Sequence, residues 1–131
     1  MGVLSGMLPY ERLTAWKVCY ELVLTTYRTT ETYPRYELYG LTSQTRRAAF
    51  SACANIVEGS AKRGPREFRR FLDIAIGSLA ELAFTFKLAR DLGFLTTEQW
   101  EMIDTLRRRS GFLVWRLTRA LDKKKGRQAS A

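Results

Sequence analysis

Phe68-Arg69-Arg70-Phe71-Leu72-Asp73-Ile74-Ala75-Ile76-Gly77-Ser78-Leu79-Ala80-Glu81-Leu82-Ala83-Phe84-Thr85-Phe86-Lys87-Leu88-Ala89 is the stretch that decides the fold. Its positions Phe68, Leu72, Ala75, Leu79, Leu82, Phe86 and Ala89 advance by alternating steps of four and three. That heptad spacing keeps one helical face against a partner. A stripe of this length is stable only if other helices cover it. Pro65 suits the first helical turn, where its missing N–H has no intrahelical partner to lose. Gly93 after Leu92 suits a left-handed cap, with Phe94 as the apolar contact beyond it.

The same logic works outward in both directions. Upstream, a helix of about residues 42–61 begins with Thr42 as N-cap and stops near Gly59. Its inner stripe is Thr45, Ala49, Ala52 and Ile56, flanked by Ala48, and such small residues predict a close approach between helices. A first helix of about 10–31 places Leu13, Trp16, Tyr20, Val23 and Tyr27 on one face. It ends before Pro34, and Pro34 to Gly40 is expected to be a loop. Downstream, Thr96 and Gln99 have capping-box spacing, and Leu95 with Trp100 has that of a hydrophobic staple. They introduce a fourth helix of about 97–125 with the inner stripe Ile103, Leu106, Ser110, Leu113, Leu117 and Ala120. The basic tail, 123–131, is expected to fray and be mobile. With the third helix at about 65–92, the expectation is one all-α domain over 1–131, an antiparallel up-down-up-down four-helix bundle.

Composition narrows the function more by exclusion than by assignment. The 131 residues carry a formal charge of +9 and no histidine. The charge attracts polyanions, nucleic acid first. The lack of histidine removes the commonest general base and metal ligand. Cys19 and Cys53 lie in separate periodic stretches, so they read as small buried thiols rather than a disulfide framework or zinc site. No phosphate-cradling glycine loop is present. The reading is therefore of a chain with no catalytic residues, no metal and no cofactor. A start without signal-peptide character and the absence of a bilayer-length apolar run point to the cytoplasm.

Three groups of residues fall outside the core pattern. The first is basic: Arg46, Arg47, Lys62, Arg63, Arg66, Arg69 and Arg70 around the second and third helices, then Arg107, Arg108, Arg109, Arg116 and Arg119 on the fourth, followed by Lys123, Lys124, Lys125 and Arg127. These are the nucleic-acid candidates, weighed against a merely solvated face. The second is apolar: Phe112 and Trp115 fall opposite the core stripe of the fourth helix, as do Gly77, Phe84 and Leu88 on the third. Two large outer aromatics flanked by Arg108 and Arg119 suit a subunit interface, or a platform for single-stranded bases; the interface carries the greater weight. The third is polar: Ser51, Asn55 and Glu58 can face Ser78 and Glu81 across a short connection. Two facing carboxylates can exchange protons or hold a cation, but a hydrogen-bonded network fixing register is the commoner use.

Gly40-Leu41-Thr42-Ser43-Gln44-Thr45-Arg46-Arg47-Ala48-Ala49, followed by Ala54-Asn55-Ile56-Val57-Glu58-Gly59 and later Gly77-Ser78-Leu79-Ala80-Glu81-Leu82, resembles the four-helix-bundle proteins encoded within intervening sequences of bacterial large-subunit ribosomal RNA genes. Phe50 and Cys53 depart from the commoner pattern of the second helix. The resemblance implies a subunit that forms a ring-like homo-oligomer, a pentamer, without established enzymatic activity. It also implies a fold similar to the accessory proteins of diversity-generating retroelements, which work beside a reverse transcriptase and contact nucleic acid. RNA or DNA is thus the leading partner besides the chain itself, with an adaptor that docks an acidic protein such as a polymerase as the alternative.

Overall fold

The computed structural model of the chain describes Tyr10 and residues 13–130, apart from the side chains at 125 and 127–130. Four helices follow one another: α1, Thr14–Thr30; α2, Leu41–Ser60; α3, Gly64–Asp91; and α4, Thr97–Ser130. No strand occurs among the described residues. Around the bundle α1 lies against α2 and α4, and α3 lies against the same two helices. One core cluster draws on all four, with Leu22, Ile56, Leu72, Leu82, Phe86, Ile103 and Val114 sealed inside.

The helix ends follow their local chemistry. Gly93 adopts φ 80°, and the Phe94 and Gly93 N–H groups donate to the Ala89 and Arg90 carbonyls at 2.8 and 3.0 Å. This paired return of the chain satisfies two carbonyls that the end of α3 leaves open. Thr96 and Gln99 exchange reciprocal bonds of 3.1 and 2.9 Å at the start of α4, as their spacing predicts. At Gly59 helix α2 passes close against α3. A Cβ there would lie 2.8 Å from the Phe71 Cβ.

Several sequence expectations need correction. Thr42 does not cap α2: it is buried inside that helix. The Glu37 carboxylate caps instead, accepting from the Leu41 N–H at 2.8 Å, where the helix dipole favours an anion. Glu37 belongs to a short 3₁₀ turn, Arg35–Glu37, inside the expected loop. Helix α1 starts at Thr14 rather than Tyr10, because Leu13 is extended. Helix α4 continues to Ser130, past the expected end at 125; Gly126 alone is too weak a breaker to stop it.

Two core stripes also shift. On α1 the buried face is Ala15, Val18, Cys19, Leu22, Thr26 and Thr30, while Tyr20 and Tyr27 are 46% and 43% exposed. The small Ala48, Ala49 and Ala52 of α2 bring the helices together, and rings of that size do not fit such a seam. On α4 the stripe moves to Val114, Thr118 and Leu121; Leu106, Leu113 and Leu117 are half-buried and Ala120 is exposed. A straight helix advances 3.6 residues per turn, so a strict seven-residue pattern drifts out of the seam. Three of the hydroxyls buried in the core are satisfied inside their own helices. Thr26, Thr45 and Ser110 donate to carbonyls four residues back at 2.7, 2.7 and 2.9 Å.

Candidate nucleic-acid interface

Charge is distributed unevenly along the bundle. Lys62 and Arg63 occupy the α2–α3 turn, and Arg66, Arg69 and Arg70 follow in the first turns of α3. The last turns of α4 come to the same end: Arg69 reaches Asp122 at 3.0 Å, and Lys62, Phe68, Leu121 and Lys124 line one cleft. Arg69 is also bound by Asp73, whose hydrogen bond is the first cause of its raised pKa. Arg70 binds Glu67 at 2.9 Å and lies over the Phe71 ring; that bond holds the Glu67 carboxyl below the usual carboxylate range. Such exposed pairs add little stability, but they occupy two of the cations. Lys62, Arg63, Arg66, Arg116, Arg119, Lys123 and Lys124 make no ion pair among the described residues.

The remaining basic candidates are differently employed. Arg46 donates to the Thr30 hydroxyl at 2.8 Å and the Tyr27 carbonyl at 3.4 Å, its guanidinium 4.9 Å from the Tyr27 ring centre. It is a joint between α2 and the last turn of α1. Arg107 and Arg108 converge on the buried Asp104 at 2.8 and 3.3 Å. Arg108 is thus bonded to Asp104, and the guanidinium that lies over the Phe112 ring is that of Arg116. Arg47 and Arg109 are exposed. The side chains of Lys125 and Arg127 lie outside the described residues.

Phe112 and Trp115 do face outward, at 55% and 51% exposure. Their rings stack with centres 6.0 Å apart and planes inclined by 28°. Arg116 lies over Phe112 and Arg119 over Trp115, at 5.9 and 5.7 Å. With Ala120, Lys123 and Lys124, three of these residues (Trp115, Arg116 and Arg119) line an open cleft of about 510 Å³. Gly77 and Phe84 are exposed as expected. Leu88 is not: it is half-buried against the core, because it flanks the buried Thr85 and Ala89.

The polar strip is smaller than its residue pattern implied. Ser78 donates to the Ser51 hydroxyl at 2.8 Å, and Asn55 donates to the Ser51 carbonyl at 2.8 Å. Glu58 and Glu81 are exposed and take no part. Glu58 lies beyond Ser51 toward the connecting turn and Glu81 beyond Ser78 away from it, which separates them by about 15 Å along the axes. They do not form a carboxylate pair.

The displaced α1 aromatics make a second surface that the sequence reading assigned to the core. Tyr10, Trp16, Tyr20, Val23, Leu24 and Tyr27 meet Phe50, Cys53, Ala54, Val57, Glu58 and Ala61 around a groove of about 770 Å³. Trp16 stacks on Tyr20 at 5.1 Å and receives the edge of Tyr10 at 4.8 Å. The signal was present in the sequence as Phe50, an aromatic off the α2 stripe at 59% exposure.

Residues 11–111 match the family described as 23S rRNA-intervening sequence protein. The chain belongs to that family. Among solved structures it is similar to a protein of unknown function from the S23 ribosomal protein family of Bacteroides thetaiotaomicron VPI-5482, with a TM-score of 0.72 and 19% identity, covering 80% of this chain and 98% of that one. At that identity the likeness concerns the fold. No curated protein matches the chain. The family match spans α1, α2, α3 and the first half of α4, so the cationic end of α4 lies largely beyond it. Among the described residues no helix is long and apolar enough to cross a membrane.

Proposed function

We propose that the chain is a non-enzymatic, basic subunit of a ring-like homo-oligomer that binds nucleic acid, RNA or DNA, through the cationic end of an antiparallel up-down-up-down bundle. The observation that carries the reading is the gathering of Lys62, Arg63, Arg66, Arg116, Arg119, Lys123 and Lys124 at one end without ion pairs. Toward the opposite end Arg90 is set against Asp91, and Arg107 and Arg108 against Asp104. A field focused in this way draws a polyanion to one place rather than only keeping the protein soluble. Membership of the 23S rRNA-intervening sequence protein family supports RNA as the polyanion. Self-association is assigned to the α1/α2 groove. A patch of that apolar character is unusual on a lone subunit, and its one charged lining residue, Glu58, is complementary to a second copy of a chain of charge +9. Five copies is the number the family resemblance implies.

Anisotropy titration of labelled RNA at a series of salt concentrations tests the reading. The logarithm of affinity should fall linearly with that of salt, with a slope of about 0.7 per contact for single strands. No binding at low salt would discard the nucleic-acid reading. Recovery from cells of a stoichiometric acidic protein instead of RNA would move the assignment to the adaptor alternative.

A further inference from the structure

We propose that the nucleic acid held at the cationic end is single-stranded, and that Trp115, with Phe112 beside it, is the platform on which its bases stack. The inference rests on the nucleic-acid reading above and names the form of the ligand.

The two rings are more than half exposed on one face of α4, one turn apart and nearly parallel. Scattered exposed aromatics are ordinary; a stacked pair, one ring of which lines a cationic cleft, is a specific surface. Four of the six residues lining that cleft are Arg116, Arg119, Lys123 and Lys124, and none is acidic. Protein interfaces are depleted of charge at their centre. Seating a second copy of a +9 chain on these four cations would bring like charges together, which argues against the self-contact that the sequence suggested for this pair. A polyanion has the opposite sign and meets no such penalty.

The aromatic faces then decide the form of the strand. In a duplex every base face is covered by its neighbours, and only base edges and phosphates are open to a protein. A flat ring on a convex helix has nothing to stack on there. An unpaired base offers its face, and stacking on an aromatic side chain tolerates any sequence. The guanidiniums of Arg116 and Arg119 stand 5.9 and 5.7 Å from the ring centres, near the outer limit of a cation–π contact and weakly held at an exposed site. They can turn to phosphates while a base takes the ring face. Ala120, between Arg119 and the cleft's lysines in sequence, carries too little side chain to close the cleft.

The test compares a fluorescein-labelled 12-nucleotide adenosine RNA with a 12-base-pair RNA duplex at one salt concentration, using wild type, Trp115→Ala and Trp115→Phe. Trp115→Ala should weaken the single strand on the order of tenfold, Trp115→Phe should recover most of it, and the duplex should be unaffected. Light scattering should give the wild-type mass for all three. As a readout independent of variant folding, wild type irradiated with a 5-bromouridine RNA should crosslink at Trp115 or Phe112. Equal loss on both ligands, no loss on the single strand, crosslinks only elsewhere, or a reduced mass for Trp115→Ala would each overturn the stacking proposal while salt-dependent binding stands. Absence of binding by either RNA at low salt would instead remove the nucleic-acid reading beneath it.

Discussion

The α1/α2 groove and the α4 cleft are both aromatic and both open, yet they differ in what surrounds the rings. In the groove Trp16, Tyr20, Tyr27 and Phe50 are set among Val23, Leu24, Ala54 and Val57, with Glu58 as the one charged lining residue. In the cleft Trp115 is set among two arginines and two lysines. The first surface gains chiefly by leaving water, which suits another apolar protein face. The second gains little by desolvation, since four cations would lose their hydration with it; it gains by meeting negative charge. The same residue type therefore takes opposite roles according to the charge one turn away.

The largest effect should come from breaking the groove. Tyr20→Asp with Phe50→Asp places two carboxylates on the apolar surface while leaving the core stripes untouched. Light scattering should report complete loss of assembly, with a helical far-ultraviolet spectrum retained. A short oligonucleotide should bind each separated subunit as wild type does. If the mass is unchanged, the groove is not the subunit contact.

Next in size is reversal at the cationic end. Lys62→Glu, Arg66→Glu and Lys123→Glu together should lower RNA affinity on the order of a hundredfold at low salt and reduce the salt slope by about 2, at roughly 0.7 per contact. Assembly should persist. The matching reversal of Arg107 and Arg108 should leave binding alone and cost stability instead, because it strips the partners of the buried Asp104.

The two surfaces were unequally legible in the sequence. Phe112 and Trp115 stood out because the shift of the α4 stripe by one residue, from Leu113 and Leu117 to Val114 and Thr118, still leaves both rings outside it. The groove was hidden because two stripes on α1 have helical spacing. Leu13, Trp16, Tyr20, Val23 and Tyr27 are the more hydrophobic of the two, and hydrophobicity alone selects them as the core. What reverses the choice is the partner: alanines on α2 draw the backbones close enough that only Ala15, Cys19, Leu22 and Thr26 fit between. That is a property of two helices together, and no reading of α1 alone contains it. One ion pair was illegible for a similar reason. Arg69 and Asp122 lie 53 residues apart, so their neutralisation appears only once α3 and α4 are packed. Local chemistry, by contrast, was fully readable at Gly93 and at Thr96 with Gln99, where every partner lies within a few residues.

A third prediction uses pH to probe the groove's floor. Burial pushes the thiol of Cys53 up to about 11 and that of Cys19, deeper in the core, up to about 12, from an ordinary 9.0. Above pH 9 the unfolded chain therefore holds fewer protons than the folded one, and stability falls as pH rises until the folded thiols ionise as well. Between pH 8 and pH 10 the loss should be about 1.4 kcal/mol for each thiol. Urea midpoints at the two values measure it. Cys53→Ala should remove close to half of the pH dependence, whatever it does to stability at pH 8, because Cys19 and the buried Tyr33, whose hydroxyl burial also raises to about 12, remain. A slope that the substitution leaves intact would mean that Cys53 is already hydrated through the open groove.

The smallest expected effect concerns Glu58, and it separates the two surfaces most finely. The side chain is exposed, outside the Ser51–Asn55–Ser78 network, and near enough to Arg70 to contribute, after Glu67, to that guanidinium's raised pKa. As a surface residue its replacement by Gln should change subunit stability by no more than about 0.5 kcal/mol. Assembly is another matter. If a second copy of a +9 chain seats in the groove, Glu58 is the one lining charge of complementary sign, and its loss should raise the concentration at which the oligomer dissociates by a few-fold, more at low salt than at high. Glu81→Gln, on the exposed face of α3 about 15 Å away along the axis, is the control and should change neither quantity. Sedimentation at two ionic strengths distinguishes the outcomes. A salt-independent weakening would mean that the carboxylate acts through hydrogen bonding in the contact rather than through its charge. Equal behaviour of the two variants would remove Glu58 from the contact and leave the groove's apolar residues as its whole basis.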